Sequence, residues 1–440
     1  EVFDADRRVG TVSHDPQADR FELSYDPAWS AAVDAYPLSP ALPFAALQGG
    51  YAPNTVKRFL ENLLPEGHAL DAASSTYQVS KANVFALVRV LGRETPGALS
   101  FRPMGTSTEP AAEPAADTMR EISRDELAER IAQQEQVPLQ VWDGRIRISV
   151  PGLQEKVAVY IDGEGRLFLV EGRLSSTHLL KPQPTDARLP MLVANEHFCM
   201  HLAERIGLPA AAVSILRVPY PILAVQRFDR VRDADQVRRI HLVDGCQLCD
   251  VPVTLKYERA YGTGRDVAHI RDGVSFERLF ARVGDAGIAK AADRQTLLRW
   301  ALFQLFVGNS DAHAKNISFL MARDGIRVAP AYDLVSAVAY KHFDNTLAMA
   351  FGDAFDIDAV DAPALASFAF RCVLDRKVVA REIKRMAAQI GRHAPALVHD
   401  QAYLQEEREF VGLIAADILQ RADRLAGLAD EIPKVSAADL

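Results

Sequence analysis

Two apolar runs flank Asp324 and Gly325 in the stretch "NISFLMARDGIRVAPAYDL", Asn316 to Leu334. Asp-Gly between such runs is a tight-turn signal. The chain must therefore double back, which carries Asp333 towards Asn316. Upstream, "TLLRWALFQLFVGN" reads as a buried helix ending near Gly308, and "SDAHAK" as a loop leading into Asn316. Three oxygen-bearing side chains, Asp311, Asn316 and Asp333, are thus expected to converge on one small volume.

Oxygen donors of this kind suit Mg²⁺, a hard ion that keeps waters and shares itself with substrate phosphates. The spacing D-x-x-x-x-N in "DAHAKN", followed by a second Asp after a short hairpin, is that of a protein-kinase catalytic loop. On this reading Asp311 accepts or orients the proton of an attacking hydroxyl. Asn316 and Asp333 hold metal ions that offset charge on the transferring phosphoryl group. His313 and Lys315, inside the same loop, complete the candidate catalytic residues. A metal-dependent hydrolase built on Asp311, His313 and Asp333 is the first alternative, and it leaves Lys181 without a role. A non-catalytic scaffold is the second.

The chain has 440 residues, 49% of them apolar and 25% charged. These are the proportions of an ordinary soluble globular protein, and the length suggests two to four domains. The net charge of −8 argues against autonomous nucleic-acid binding, because a domain that neutralises many phosphates is normally basic. Four cysteines, two of them close together, fit a reducing compartment rather than a disulfide framework. The charged opening "EVFDADRRVGTV" is no signal-peptide core, and no run is apolar enough to span a bilayer. A cytoplasmic protein without a membrane segment is expected.

"GTSTEPAAEPAAD", Gly105 to Asp117, reads as an exposed linker. Before it, residues 1–104 form an α+β module in which Val56, Phe59, Leu60, Leu63 and Leu64 repeat with helical spacing. After it come a helix from Ser123, the strands "KVAVY", "RLFLV" and "THLLK", a helix over Leu192 to Gly207, and two strands around "VSILRV" and "YPILAVQRF". Beyond Cys246 the pattern is mostly helical. The expected fold class is α+β, a protein-kinase-like two-lobe fold. Its small β-rich lobe covers 118–245 and its large helical lobe 246–440, behind a small α+β N-terminal subdomain.

Other candidates follow from that frame. Lys181 closes a strand, as the phosphate-pairing kinase lysine does, with Glu196 on the next helix as a possible partner. "ISVPGLQEK" sits where a phosphate-covering loop belongs, although it lacks G-x-G-x-x-G. Val150, Gly152 and Gln154, with Ser149, are candidates to present backbone N–H groups to phosphate oxygens. "CQLC", Cys246 to Cys249, has no second pair to complete a zinc site and reads as apolar packing.

The blocks "FLENLLPEG", "ISVPGLQEK", "STHLLKPQ", "NEHFCMHLAERIGL", "QRFDR", "CQ…KYE", "GNSDAHAKN" and "PAYDL", in this order, resemble the HipA-type serine/threonine kinases. Those are the toxin halves of bacterial toxin–antitoxin pairs. The resemblance spans almost the whole chain. It implies ATP and Mg²⁺ as cofactors, with Asp311 catalytic, Asn316 and Asp333 on the metal, and Lys181 on the nucleotide phosphates. It further implies a hinge at Leu242, Val243, Asp244 and Gly245 that receives adenine, and autophosphorylation at Ser149 as self-inactivation. A phosphate there adds nearly two negative charges and would clash with ATP phosphates in the same cradle. The implied partners are a HipB-like helix-turn-helix antitoxin dimer, operator DNA reached mainly through that antitoxin, and a protein substrate, with aminoacyl-tRNA synthetases the family expectation. Gln226 stands where the family pattern expects Glu, and Pro151 removes one N–H from the phosphate loop.

Overall fold

The computed structural model describes residues 1–45, 50–104, 117–143, 145–146, 154–233, 236–342, 344–436 and 438. The chain divides into two compact units, the first made of 1–182, 216–253 and 319–325, the second of 183–215, 254–318 and 326–440.

In the first unit, residues 1–102 supply a four-stranded antiparallel sheet in the order Arg20–Tyr25, Arg7–Asp15, Val2–Asp4, Leu99–Phe101. The helix Pro53–Glu61 follows a proline at its first turn, where the missing N–H costs nothing. Val56, Phe59, Leu60, Leu63 and Leu64 are all buried, as the 3.6-residue period requires. This module is joined to the rest of its unit by polar contacts. Arg58 donates to both carboxylate oxygens of Asp250 at 2.8 and 2.6 Å, and Gln247 Nε2 donates to the Phe59 carbonyl at 3.1 Å.

Deeper in the same unit lies an ionic knot. Arg227 grips Asp229 with two N–H groups at 3.0 and 2.8 Å, and Arg230 Nη1 donates to Asp229 Oδ2 at 2.8 Å. Gly97 of the N-terminal module gives the same carboxylate its backbone N–H at 2.9 Å. Ser176 Oγ donates to Glu94 at 2.6 Å and accepts from Arg227 at 3.0 Å. Burial by itself would raise the Asp229 carboxyl, but Arg227 and Arg230 outweigh it and hold it well below the usual carboxylate range.

The second sheet has six strands, in the order Val213–Val218, Tyr220–Gln226, His178–Pro182, Val157–Ile161, Leu167–Glu171, Thr118–Ile122. Five of them follow the sequence pattern. The sixth, Thr118–Ile122, is an edge strand in which Ile122 is buried and Met119 exposed. With one apolar anchor it carries no alternation to read. The helix Arg124–Ala132 starts at Ser123, whose Oγ caps the Glu126 N–H at 3.1 Å. Its Leu127 and Ile131 pack with Trp142, Val157, Leu169, Leu180 and Ile222 to form the core over this sheet.

The second unit is mainly helical, with Leu192–Arg205, Phe276–Ala286, Lys290–Val307, Ala362–Arg371, Arg376–Leu397 and Gln405–Leu428. From Leu297 to Val307 the helix Lys290–Val307 is buried almost all round. Among the described residues no helix is long and apolar enough to cross a membrane.

Candidate active site

Gly308 stops the helix Lys290–Val307 in a left-handed conformation, φ +73°, and its N–H bonds the Gln304 carbonyl. A Cβ there would stand 2.5 Å from Val338, so only glycine allows this turn. Its own carbonyl accepts from the Ala337 and Val338 N–H groups at 3.0 and 3.2 Å.

Asn309, 1% exposed, then organises the loop. Its Oδ1 accepts the Asp311 N–H at 3.2 Å. Its Nδ2 donates to Gln304 Oε1 at 2.8 Å and to the Asp333 carbonyl at 3.4 Å. One buried amide thus spans the two aspartates. Asn316 bends back on the same loop, with Nδ2 donating to the Asp311 carbonyl at 2.9 Å. That contact engages the amide nitrogen and not Oδ1.

The hairpin forms as the Asp-Gly turn predicts, from Ser318–Ala322 and Gly325–Val328. Tyr332 closes its open end, donating to the Lys315 carbonyl at 2.8 Å and meeting Ser318 Oγ at 2.7 Å. The Ala329 N–H bonds the Ser318 carbonyl at 2.9 Å. Asp333 follows with φ +52°. A non-glycine residue in the left-handed region costs on the order of 1 kcal/mol or more and tends to mark a functional position. The chain just before it is fastened, because Ala331 donates to Pro209 O at 2.8 Å and accepts from the Ala211 N–H at 2.9 Å.

Asp311 is exposed, and its Oδ1 accepts the Tyr257 hydroxyl at 2.5 Å. His313 and Lys315 are buried in the loop. Burial first, then Lys256, pushes the His313 imidazole down to about 3. NMR of the His313 ring is therefore expected to show a neutral imidazole from pH 5 to 8; a titration inside that window would contradict the burial argument.

The donors around Asp311, Asn316 and Asp333 are carboxylate and amide oxygens, which fit a hard divalent cation better than Zn²⁺. Cys246 and Cys249 are buried on the short helix Gly245–Cys249, and all four cysteines are unbridged.

Ser149, Val150 and Gly152, and the linker 105–116, lie outside the described residues. Gln154 is half-buried. Lys181 is the penultimate residue of the strand His178–Pro182 in the first unit, and Glu196 lies on the helix Leu192–Arg205 in the second; each side chain is buried. Leu242, Val243 and Asp244 form a strand, and Gly245 opens the following helix. Asp244 caps that helix by accepting the Gln247 N–H at 2.8 Å, while its own N–H donates to Gln247 Oε1 at 3.0 Å. The Asp244 N–H is therefore already engaged.

Sequence reasoning passed over Asn309 and Tyr257. Asn309 was visible inside "GNSDAHAKN" but read as part of a helix end. Tyr257 is separated from Asp311 by a stretch that no spacing rule spans.

Comparison with known proteins fits this geometry. The HipA N-terminal domain family matches residues 1–102, and the HipA-like C-terminal domain family matches residues 148–394. The chain is 39% identical to the serine/threonine-protein kinase toxin HipA of Shewanella oneidensis, over 99% of this chain and 98% of that protein. It is 33% identical to the putative kinase Y4mE of Sinorhizobium fredii, over 94% and 96%. Its fold matches a chain in the solved complex of Shewanella oneidensis HipA, HipB and operator DNA. The TM-score is 0.86 and the identity 37%, over 99% of this chain and 100% of that one. The buried amide between two aspartates, the kinase-spaced loop and both family domains agree: the chain belongs to the HipA family.

Proposed function

We propose that the protein is a serine/threonine protein kinase toxin that moves the γ-phosphoryl group of ATP to a protein hydroxyl. The observation that supports this reading is Asn309, which bonds both the Asp311 N–H and the Asp333 carbonyl and so ties the backbones of the two acids to one buried side chain.

Asp311 takes the proton as the acceptor oxygen bonds to phosphorus and the bond to the ADP oxygen breaks. Asn316 and Asp333 would hold Mg²⁺, which supplies positive charge against the transferring phosphoryl oxygens. Lys181 pairs with the nucleotide phosphates, and Lys315 adds charge from within the loop. Val150, Gly152 and Gln154 cover the phosphates, and Leu242 to Gly245 receive the base. His313, neutral at pH 7, serves as a packing group rather than a proton carrier, which disfavours the hydrolase alternative.

Ser149 is the autophosphorylation site, and its phosphate shuts the enzyme off. The protein substrate is of the aminoacyl-tRNA synthetase class, phosphorylated in the cytoplasm to arrest growth. By analogy with the HipA–HipB–operator complex, the chain pairs with a HipB-like helix-turn-helix dimer and meets operator DNA mainly through it.

Labelled ATP with Mg²⁺ tests the reading. Wild type is expected to label itself, Ser149→Ala to lose that label but still phosphorylate an added acceptor, and Asp311→Ala to do neither. An unlabelled wild type, or equal label on Asp311→Ala, removes the kinase assignment.

A further inference from the structure

Tyr257 donates to Asp311 Oδ1 at 2.5 Å, the length of a hydrogen bond to a charged oxygen. Its ring stands edge-on to His313, with centroids 5.0 Å apart and planes at 90°. The Lys256 ammonium lies 5.6 Å from its centroid.

The residues on either side of Tyr257 are fixed to the same loop. The Lys256 carbonyl accepts the Ala314 N–H at 3.1 Å. The Glu258 N–H donates to Ala348 O at 2.9 Å, and the Ala348 N–H donates to Ser310 O at 2.9 Å. The Glu258 carboxylate accepts the Ala350 N–H at 2.8 Å and Arg271 Nε at 2.5 Å. Tyr257 is thus held from both ends against the segment that carries Asp311.

We infer that Tyr257 is a positioning residue for phosphoryl transfer: its hydroxyl holds one oxygen of Asp311 and turns the other to the substrate hydroxyl. The inference rests on the kinase reading above. A carboxylate has acceptor sites enough for both partners, so the tyrosine and the substrate need not compete. Removing the hydroxyl takes one fixed contact from this exposed aspartate, and small losses of alignment cost large factors in rate.

The test uses the full-length protein, with Mg²⁺–ATP and dephosphorylated casein as a generic serine-bearing acceptor. Tyr257→Phe keeps the ring against His313 and removes only the hydroxyl. It is expected to lower kcat roughly tenfold, with KM for ATP, ATP binding and melting temperature unchanged. An unchanged kcat in an active protein overturns the inference and leaves the kinase reading intact. A fall in kcat together with weaker ATP binding or a lower melting temperature also overturns it, because the role is then structural. Phosphate on Tyr257 itself would make the residue an acceptor and overturn it too. A wild type that transfers nothing to casein or to itself removes the kinase reading and this inference together.

Discussion

Asp333→Asn is expected to retain the fold and lose at least about a hundredfold in phosphoryl transfer. The position has φ +52°, a region that Asn tolerates about as well as Asp. The backbone contact that sets the site, Asn309 Nδ2 to the Asp333 carbonyl, survives the change. What disappears is a negative charge at the proposed Mg²⁺. The loss should be partly recovered by raising Mg²⁺, which separates weakened metal binding from a damaged fold. Steady-state transfer against Mg²⁺ concentration, with a melting curve beside it, is the measurement. Full activity at low Mg²⁺ would show that Asp333 binds no metal in the reaction.

Asp229→Ala is expected to destabilise the protein by about 3–5 kcal/mol, the cost of breaking a buried pair by removing one partner. It leaves the Arg227 and Arg230 guanidiniums buried without their carboxylate, and takes an acceptor from the Gly97 N–H. Thermal and denaturant melts measure it. The carboxyl is held below its ordinary range in the folded protein. Its contribution is therefore present above the unfolded value near pH 4 and fades as pH falls towards the folded value. Wild type should lose stability on acidification below about pH 4, and the variant should lose less over the same interval. Equal acid sensitivity in both would contradict the assignment of this knot.

The parts of the fold legible in the sequence are those that bury one face at a regular period. Val56 to Leu64 followed the helix period, and the strands around Val157, Leu167, Leu180 and Leu223 had enough apolar residues to be read. Thr118–Ile122 escaped because an edge strand buries little. The hairpin Arg230–Asp233 with Gln236–Arg239 escaped because it is polar and borders Asp229, which Arg227 and Arg230 grip locally and Gly97 reaches from a remote part of the chain. The same division holds at the site. Asn316 and Asp333 flank one local hairpin and Asp311 precedes it in the loop, so the Asp-Gly turn was enough to relate them in the sequence. Tyr257, brought in by the backbone contacts of its neighbours Lys256 and Glu258 to Ala314 and Ala348, has no local rule to announce it. Asn309 has one, a polar residue just past a helix-ending glycine, but its double contact appears only once the hairpin has closed.

The fastening of Ala331 to Pro209 and Ala211 bears on how the enzyme could be inhibited. Compounds that trap a kinase by swinging its metal-binding acid outward need slack in the chain before that acid. Here two main-chain hydrogen bonds take up the slack two residues upstream, so ligands that leave the acid in place are the better starting point for chemistry.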